Sequence, residues 1–142
     1  MPKITRLLII LNVAIFALQA VYDDTLLSVF ALWPIGRFHV RDLHAVVGFE
    51  PWQLITYAFL HANFAHIGLN MLALYMFVRD VERTLGAKHY FLLYFAAVVS
   101  AALVQLAAVT ATRHAGIYPT IGASGGVFGV LLAFAFSTRA AS

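Results

Sequence analysis

Three long apolar runs, Ile4 to Val21, about Phe64 to Val78 and Tyr90 to about Thr112, constrain this chain more than any other feature. A bilayer core of about 30 Å needs about 20 apolar residues in a helix; the first and third runs come close to or exceed that length, and the second has the same spanning character. A fourth, shorter run follows Ser124. With 63% hydrophobic and 11% charged residues, the chain departs from soluble proteins, which are about 45–50% apolar and about 25% charged. A large soluble core is excluded, and 142 residues allow one domain. Lys3 and Arg6 precede the first run as they would in a signal peptide, but Leu18-Gln19-Ala20 is a poor small-x-small cleavage site. The run therefore reads as an uncleaved helix.

The expected spans are about 4–21, 64–83, 90–112 and 124–138, giving an all-α membrane protein. Between the first two lies a stretch of about forty residues, 22–63, too apolar for a solvated linker and too broken by Trp33-Pro34, Gly36, Gly48 and Pro51-Trp52 for a span. It is expected along the membrane interface, anchored by its tryptophans. Alternation across these spans puts Lys3, Arg6, Arg79, Arg83, Lys88 and Arg139 on one side and Arg37, Arg41 and Arg113 on the other. The positive-inside rule then makes the N-terminus cytoplasmic. The same basic residues form no stripe with interleaved aromatics, so the net charge of +3 does not indicate nucleic acid. The chain has no cysteine, which removes disulfides and thiolate metal sites.

A helix starting at Ser124 and reaching the cytoplasmic interface at Arg139 rises only roughly 22 Å, short of the hydrocarbon thickness. Ser124 therefore lies below the outer surface, and Ala115 to Gly122 must enter the bilayer as non-helical backbone. Such backbone survives at depth only when protein covers it or it lines a water-filled cavity. Ser124 sits in Gly122-Ala123-Ser124-Gly125-Gly126. A serine at a helix start is commonly a cap. Flanking glycines allow close approach, however, and free N–H groups at a helix N-terminus can stabilise a developing oxyanion. The letters also fit the G-x-S-x-G elbow of soluble hydrolases, which requires a strand and a large sheet that this sequence lacks.

His66 and Asn70, four apart, share one face of the second helix. Each alone would serve as hydrogen-bonding glue between helices. Together, in a chain that submerges a serine, they supply donors of the kind an acyl-transfer transition state needs. His61 is five residues from His66, and H-x4-H lacks helical ligand spacing, so no metal site is expected. His39, His44, His89 and His114 carry no motif and read as solvated or interfacial.

Trp52-Gln53 leading to Thr56, Phe59-Leu60-His61, His66 and Asn70, Glu82-x3-Gly86 and Gly122-Ala123-Ser124-Gly125 together resemble the rhomboid family in order and spacing, from about Trp52 to Phe136. The resemblance implies a helical bundle of six core spans, of which four are present here. It also implies an intramembrane serine endopeptidase that cuts transmembrane segments of other membrane proteins without a cofactor. Ser124 would be the nucleophile, and His66, Asn70 and the Ser124 N–H would form the oxyanion hole. His61 would organise the loop before the second helix, Gly122 and Gly125 would flank the nucleophile, and Phe128 would pack against the catalytic histidine. The expected setting is a bacterial inner membrane, with the bilayer and membrane-protein substrates as partners and no nucleic acid.

Two features depart from the family pattern. An arginine common after the loop tryptophan is Gln53 here. Only 18 residues follow Ser124, so spans five and six and the catalytic histidine are missing, and the chain alone is expected to be inactive. Their loss is also expected to leave one side of the Gly125 and Gly129 face unpacked. The alternatives are a non-catalytic module that binds membrane helices and a transporter. The intact serine motif argues against the first. Against the second, Asp23, Asp24, Asp42, Glu50, Asp80 and Glu82 all fall outside the apolar runs, where a coupling relay would want one inside.

Overall fold

The computed structural model describes residues 2–141, with side chains as far as Phe136. The first helix, α1, runs Lys3–Phe30 and bends at Tyr22 (φ −120°, ψ 34°). It is longer than the expected span of 4–21, and residues 22–30 are helix rather than interfacial loop. Asp23 and Asp24 lower the hydropathy there without stopping the helix. Gln19 Nε2 even donates to Asp23 Oδ1 across the bend, at 3.1 Å. These two carboxylates thus lie within a helix. The helix stops where Ala31 turns extended (φ −69°, ψ 160°), shortly before Trp33-Pro34, whose proline disfavours helix in the residue before it.

The segment 31–63 is compact. Strands β1 (Phe38–Val40) and β2 (Ala45–Val47) pair antiparallel around His44, a left-handed residue at φ 50°. This hairpin and a short helix α2 (Gln53–Thr56) are built around buried polar contacts. Gln53 is 1% exposed. Its Oε1 accepts from the Trp33 N–H, and its Nε2 donates to the carbonyls of Val29 and Gly48, all at 3.2 Å. A neutral amide thereby braces three chain segments where the family often has arginine. Trp33 is also buried, with Nε1 donating to the Leu27 carbonyl at 2.9 Å. Trp33 is thus a core residue rather than an interfacial anchor, whereas Trp52 is about half exposed.

Helices α3 (Phe64–Ala73) and α4 (Arg79–Leu85) are joined by a five-residue π turn, Leu74–Val78. Gly86 (φ 86°) ends this rod and α5 (Ala87–Ala111) returns. The last helix, α6 (Ser124–Ala141), packs along α5. Tyr90, Tyr94, Val98, Ala102 and Leu106 form a buried stripe at fourfold spacing on α5, joined by Val127 and Val130 of α6. Close approach is permitted by glycine. A Cβ at Gly125 would stand 2.7 Å from the Ala101 Cβ, and one at Gly129 2.7 Å from the Ala97 Cβ. The Gly125 and Gly129 face therefore packs on α5 along one side, while beside that contact both glycines line an open groove of about 590 Å³ with Leu93, Ser100 and Val104. The outward face of α6 carries Phe128, Leu132 and Phe136, each about 60% exposed.

Two ties set the ends of the bundle. At one end the Glu82 carboxylate, only 4% exposed, accepts from the N–H groups of Ile4 (2.8 Å) and Thr5 (2.7 Å) and from Thr5 Oγ1 (2.8 Å). An anion at a helix N-terminus satisfies orphan donors and complements the dipole. At the other end Leu32 and Thr120 exchange both backbone hydrogen bonds, and Ile35 N–H donates to Thr110 Oγ1. Lys3, Arg6, Arg79, Arg83 and Lys88 thus belong to one end, and Arg37, Arg41 and Arg113 to the other. The side chain of Arg139 lies outside the described residues. Only 22% of the most apolar window of α1 and 17% of that of α5 is buried. Apolar surface turned outward on this scale requires lipid around it, and the chain is a membrane protein.

Candidate active site

The route into Ser124 is held from both sides by backbone. After the Leu32 and Thr120 pair, Gly122 adopts φ 117° and donates its N–H to the Tyr57 carbonyl at 3.0 Å. A side chain is strained at that φ, and a Cβ there would also meet His66 Nε2 at 2.7 Å. Glycine is therefore required twice over, for its backbone and for the imidazole beside it. The first bond of α6 runs from Val127 N–H to the Ala123 carbonyl, which leaves the N–H groups of Ser124, Gly125 and Gly126 ahead of the intrahelical ladder.

Tyr57 has no sequence signature, yet it does two jobs at this point. Its carbonyl holds Gly122, and its buried hydroxyl donates to the Val98 carbonyl of α5 at 2.7 Å. Burial pushes its pKa up to about 12, so it stays a neutral donor. The hydroxyl also stands 3.2 Å from where a Gly125 side chain would begin.

The His66 and Asn70 stripe meets the serine directly. Ser124 Oγ donates to Asn70 Oδ1 at 3.0 Å, and Asn70 Nδ2 donates to the His66 carbonyl at 2.8 Å. The second Nδ2 proton has no role in these two bonds. Asn63 caps α3 by accepting from the His66 N–H at 2.8 Å. The Ala62 N–H donates to His66 Nδ1 at 3.1 Å, so the neutral ring carries its proton on Nε2, the nitrogen beside Gly122. The start of α3 thus orients His66, and His66 in turn abuts the nucleophile loop.

His61, although off the helical face of His66, lies against it edge-on with centroids 4.9 Å apart. It is 1% exposed, and neither ring nitrogen has a hydrogen-bond partner. Burial, with the His66 ring as a second cause, lowers its pKa to about 4, a shift only partly offset by the Phe59 backbone. Its backbone is clamped by Gln19, which accepts from the His61 N–H and donates to the His61 carbonyl, both at 3.0 Å. Phe128 faces outward over an open groove of about 520 Å³ shared with Leu69, Leu72, Ala73, Phe77 and Leu131. Among the described residues no histidine ring stacks on it. His39, His44, His89 and His114 are exposed and away from the site. No group of three or more His, Asp and Glu that could hold a metal ion comes together among the described residues.

Outward-facing apolar helices around a serine-centred polar site define a helical membrane protein. The rhomboid domain family matches residues 48–142, more than half of the chain, and the chain belongs to that family. It is 40% identical over 84 residues to the mitochondrial rhomboid protein 1 of Saccharomyces cerevisiae, which covers 59% of this chain and 24% of that protein. It is 29% identical over 130 residues to the rhomboid protease GluP of Bacillus subtilis, covering 92% of this chain and 24% of that one. With human rhomboid-related protein 3 the identity is 30% over 128 residues, covering 87% and 29%. The chain thus spans about a quarter of the length of these curated relatives.

Proposed function

We propose that these residues form the nucleophile and oxyanion-hole half of an intramembrane serine endopeptidase acting on transmembrane segments of other membrane proteins. The observation that carries this reading is the hydrogen bond from Ser124 Oγ to Asn70, at a helix N-terminus, with the protonated nitrogen of His66 aimed at the same loop. Ser124 Oγ would attack a peptide carbonyl. The oxyanion that forms would be met by His66 Nε2–H, the free Asn70 N–H and the Ser124 N–H. Such preorganised donors act strongly where water is scarce.

An amide oxygen cannot take the serine proton, so a base is still needed. Among the described residues Ser124 Oγ hydrogen-bonds to Asn70 and to no histidine. We assign the base to a histidine in a part of the protein beyond these 142 residues, as the family resemblance implies. The chain alone is therefore expected to be inactive, because loss of a triad base costs several orders of magnitude in soluble serine proteases. The proposed setting is a bacterial plasma membrane with the N-terminus in the cytoplasm, supported by the sorting of basic residues between the two ends. Other relatives are named for mitochondria and chloroplasts.

The test is Asn70→Ala in the complete protein. Loss of one oxyanion donor should lower kcat by about 10²–10³-fold with little change in KM. A raised KM with unchanged kcat would assign Asn70 to substrate binding, unchanged kinetics would remove Asn70 from the oxyanion hole, and no cleavage by the unmutated complete protein would favour a non-catalytic helix-binding module.

A further inference from the structure

The end of the bundle opposite Ser124 carries a cation with no carboxylate partner among the described residues. Arg79 lies over the Tyr75 ring, 4.4 Å from guanidinium carbon to centroid. Its Nε is buried without a hydrogen bond, and no described carboxylate pairs with it. The two carboxylates of this end are occupied elsewhere. Asp80 pairs with Arg83 at 3.4 Å, and Glu82 is engaged by Ile4 and Thr5. That tie brings the start of α1 against α4, so exposed Lys3 and Arg6 stand at the same end as Arg79 and Arg83, with Lys88 just past the Gly86 turn. Beside the stack, Tyr75, Met76 and Phe77 are 45%, 46% and 56% exposed, an apolar outer surface of the kind acyl chains cover.

We propose that the Arg79 and Tyr75 stack, at the same end of the bundle as Lys3, Arg6, Arg83 and Lys88, is a binding site for the phosphodiester headgroup of an anionic membrane lipid. A guanidinium held by an aromatic face presents its outer N–H groups as a fixed fork, which matches two phosphate oxygens. Stacking limits the rotamer freedom lost on binding. The surrounding cations add attraction that falls off within a Debye length. The apolar surface next to the stack selects a lipid over a soluble phosphate, because the headgroup arrives with chains that can lie along Met76 and Phe77. The site is independent of proteolysis and rests only on the chain being in a membrane.

The experiment is native mass spectrometry of the full chain in neutral detergent, with equal amounts of phosphatidylglycerol and phosphatidylcholine. Each basic residue near an anionic headgroup strengthens binding about fivefold, so retention of phosphatidylglycerol should exceed that of phosphatidylcholine by at least that factor. Arg79→Gln should reduce phosphatidylglycerol retention about fivefold, Arg79→Lys should fall between, and Arg113→Gln at the other end should change nothing. Equal retention of the two lipids by the unmutated chain would overturn the proposal, whatever the variants do. So would an equal loss in Arg113→Gln, or displacement of the lipid by inorganic phosphate at matched concentration.

Discussion

Replacing Gly122 by alanine would disturb the proposed catalytic geometry through one methyl group. The residue sits at φ 117°, where a side chain is strained, and that alone should destabilise the fold by about 1–3 kcal/mol. The new Cβ would begin 2.7 Å from His66 Nε2 and 2.8 Å from Cε1. Restoring ordinary contact at about 3.4–4.0 Å requires a movement of about 0.7 Å or more between ring and loop. The ring cannot yield freely, because Ala62 N–H holds Nδ1 and His61 lies against its other side. A misplacement of about 1 Å at a reacting centre costs about 10²-fold in rate. In the complete protein, Gly122→Ala should therefore lower kcat for a transmembrane substrate by about 10²-fold with KM little changed. Thermal unfolding in detergent measures the stability cost separately. Gly68→Ala is the control, since a Cβ there meets nothing within 4 Å and helical alanine is favoured over glycine. Activity of Gly122→Ala within about twofold of the parent, against the 10²-fold expected from misplacement, would refute the placement of His66 against the nucleophile loop.

Gln53→Ala orphans the Trp33 N–H, and the Val29 and Gly48 carbonyls lose a donor; at about 1–3 kcal/mol for each buried group left unsatisfied, unfolding in detergent should show a loss of at least about 2 kcal/mol. His61 titrates at about 4 in the fold against an ordinary 6.5, so the unfolded chain binds more protons between those values. Its contribution, up to about 3 kcal/mol, is complete above about pH 6.5 and is lost as pH falls toward about 4. His61→Phe should flatten that part of a stability-against-pH curve. Reporter fusions after Lys88 should read cytoplasmic and fusions near Arg41 external, and the reverse pattern would invert the orientation drawn from the basic residues.

The polar cluster of the candidate site was legible because side chains carry it. Ser124 announces itself by its glycines and by the shortness of its helix, and His66 with Asn70 by their shared face. What escaped the sequence is carried by backbone and by packing. Tyr57 acts through its carbonyl on Gly122, and a carbonyl is common to every residue. The length of α1 was underestimated because Asp23 and Asp24 end a hydropathy run without ending a helix. Trp33 looked like an interfacial anchor, but its indole N–H finds the Leu27 carbonyl inside the fold, which removes the reason to stay wet. Gly125 and Gly129 let α6 approach Ala101 and Ala97 closely, a contact made by small residues on both helices, and they also line an open groove beside that contact. Gln53 replaces a charged brace with a neutral one, and only the three carbonyl and N–H partners around it reveal that the loop remains tied.

The central claim is that Ser124 is the nucleophile and that its base lies outside these 142 residues. The most direct measurement is mass-spectrometric mapping of a fluorophosphonate adduct, made in parallel on this chain and on the complete protein. The account predicts no adduct on this chain, an adduct on Ser124 in the complete protein, and none in Ser124→Ala. An adduct on Ser124 of the short chain that disappears when one of its own six histidines is mutated would contradict it.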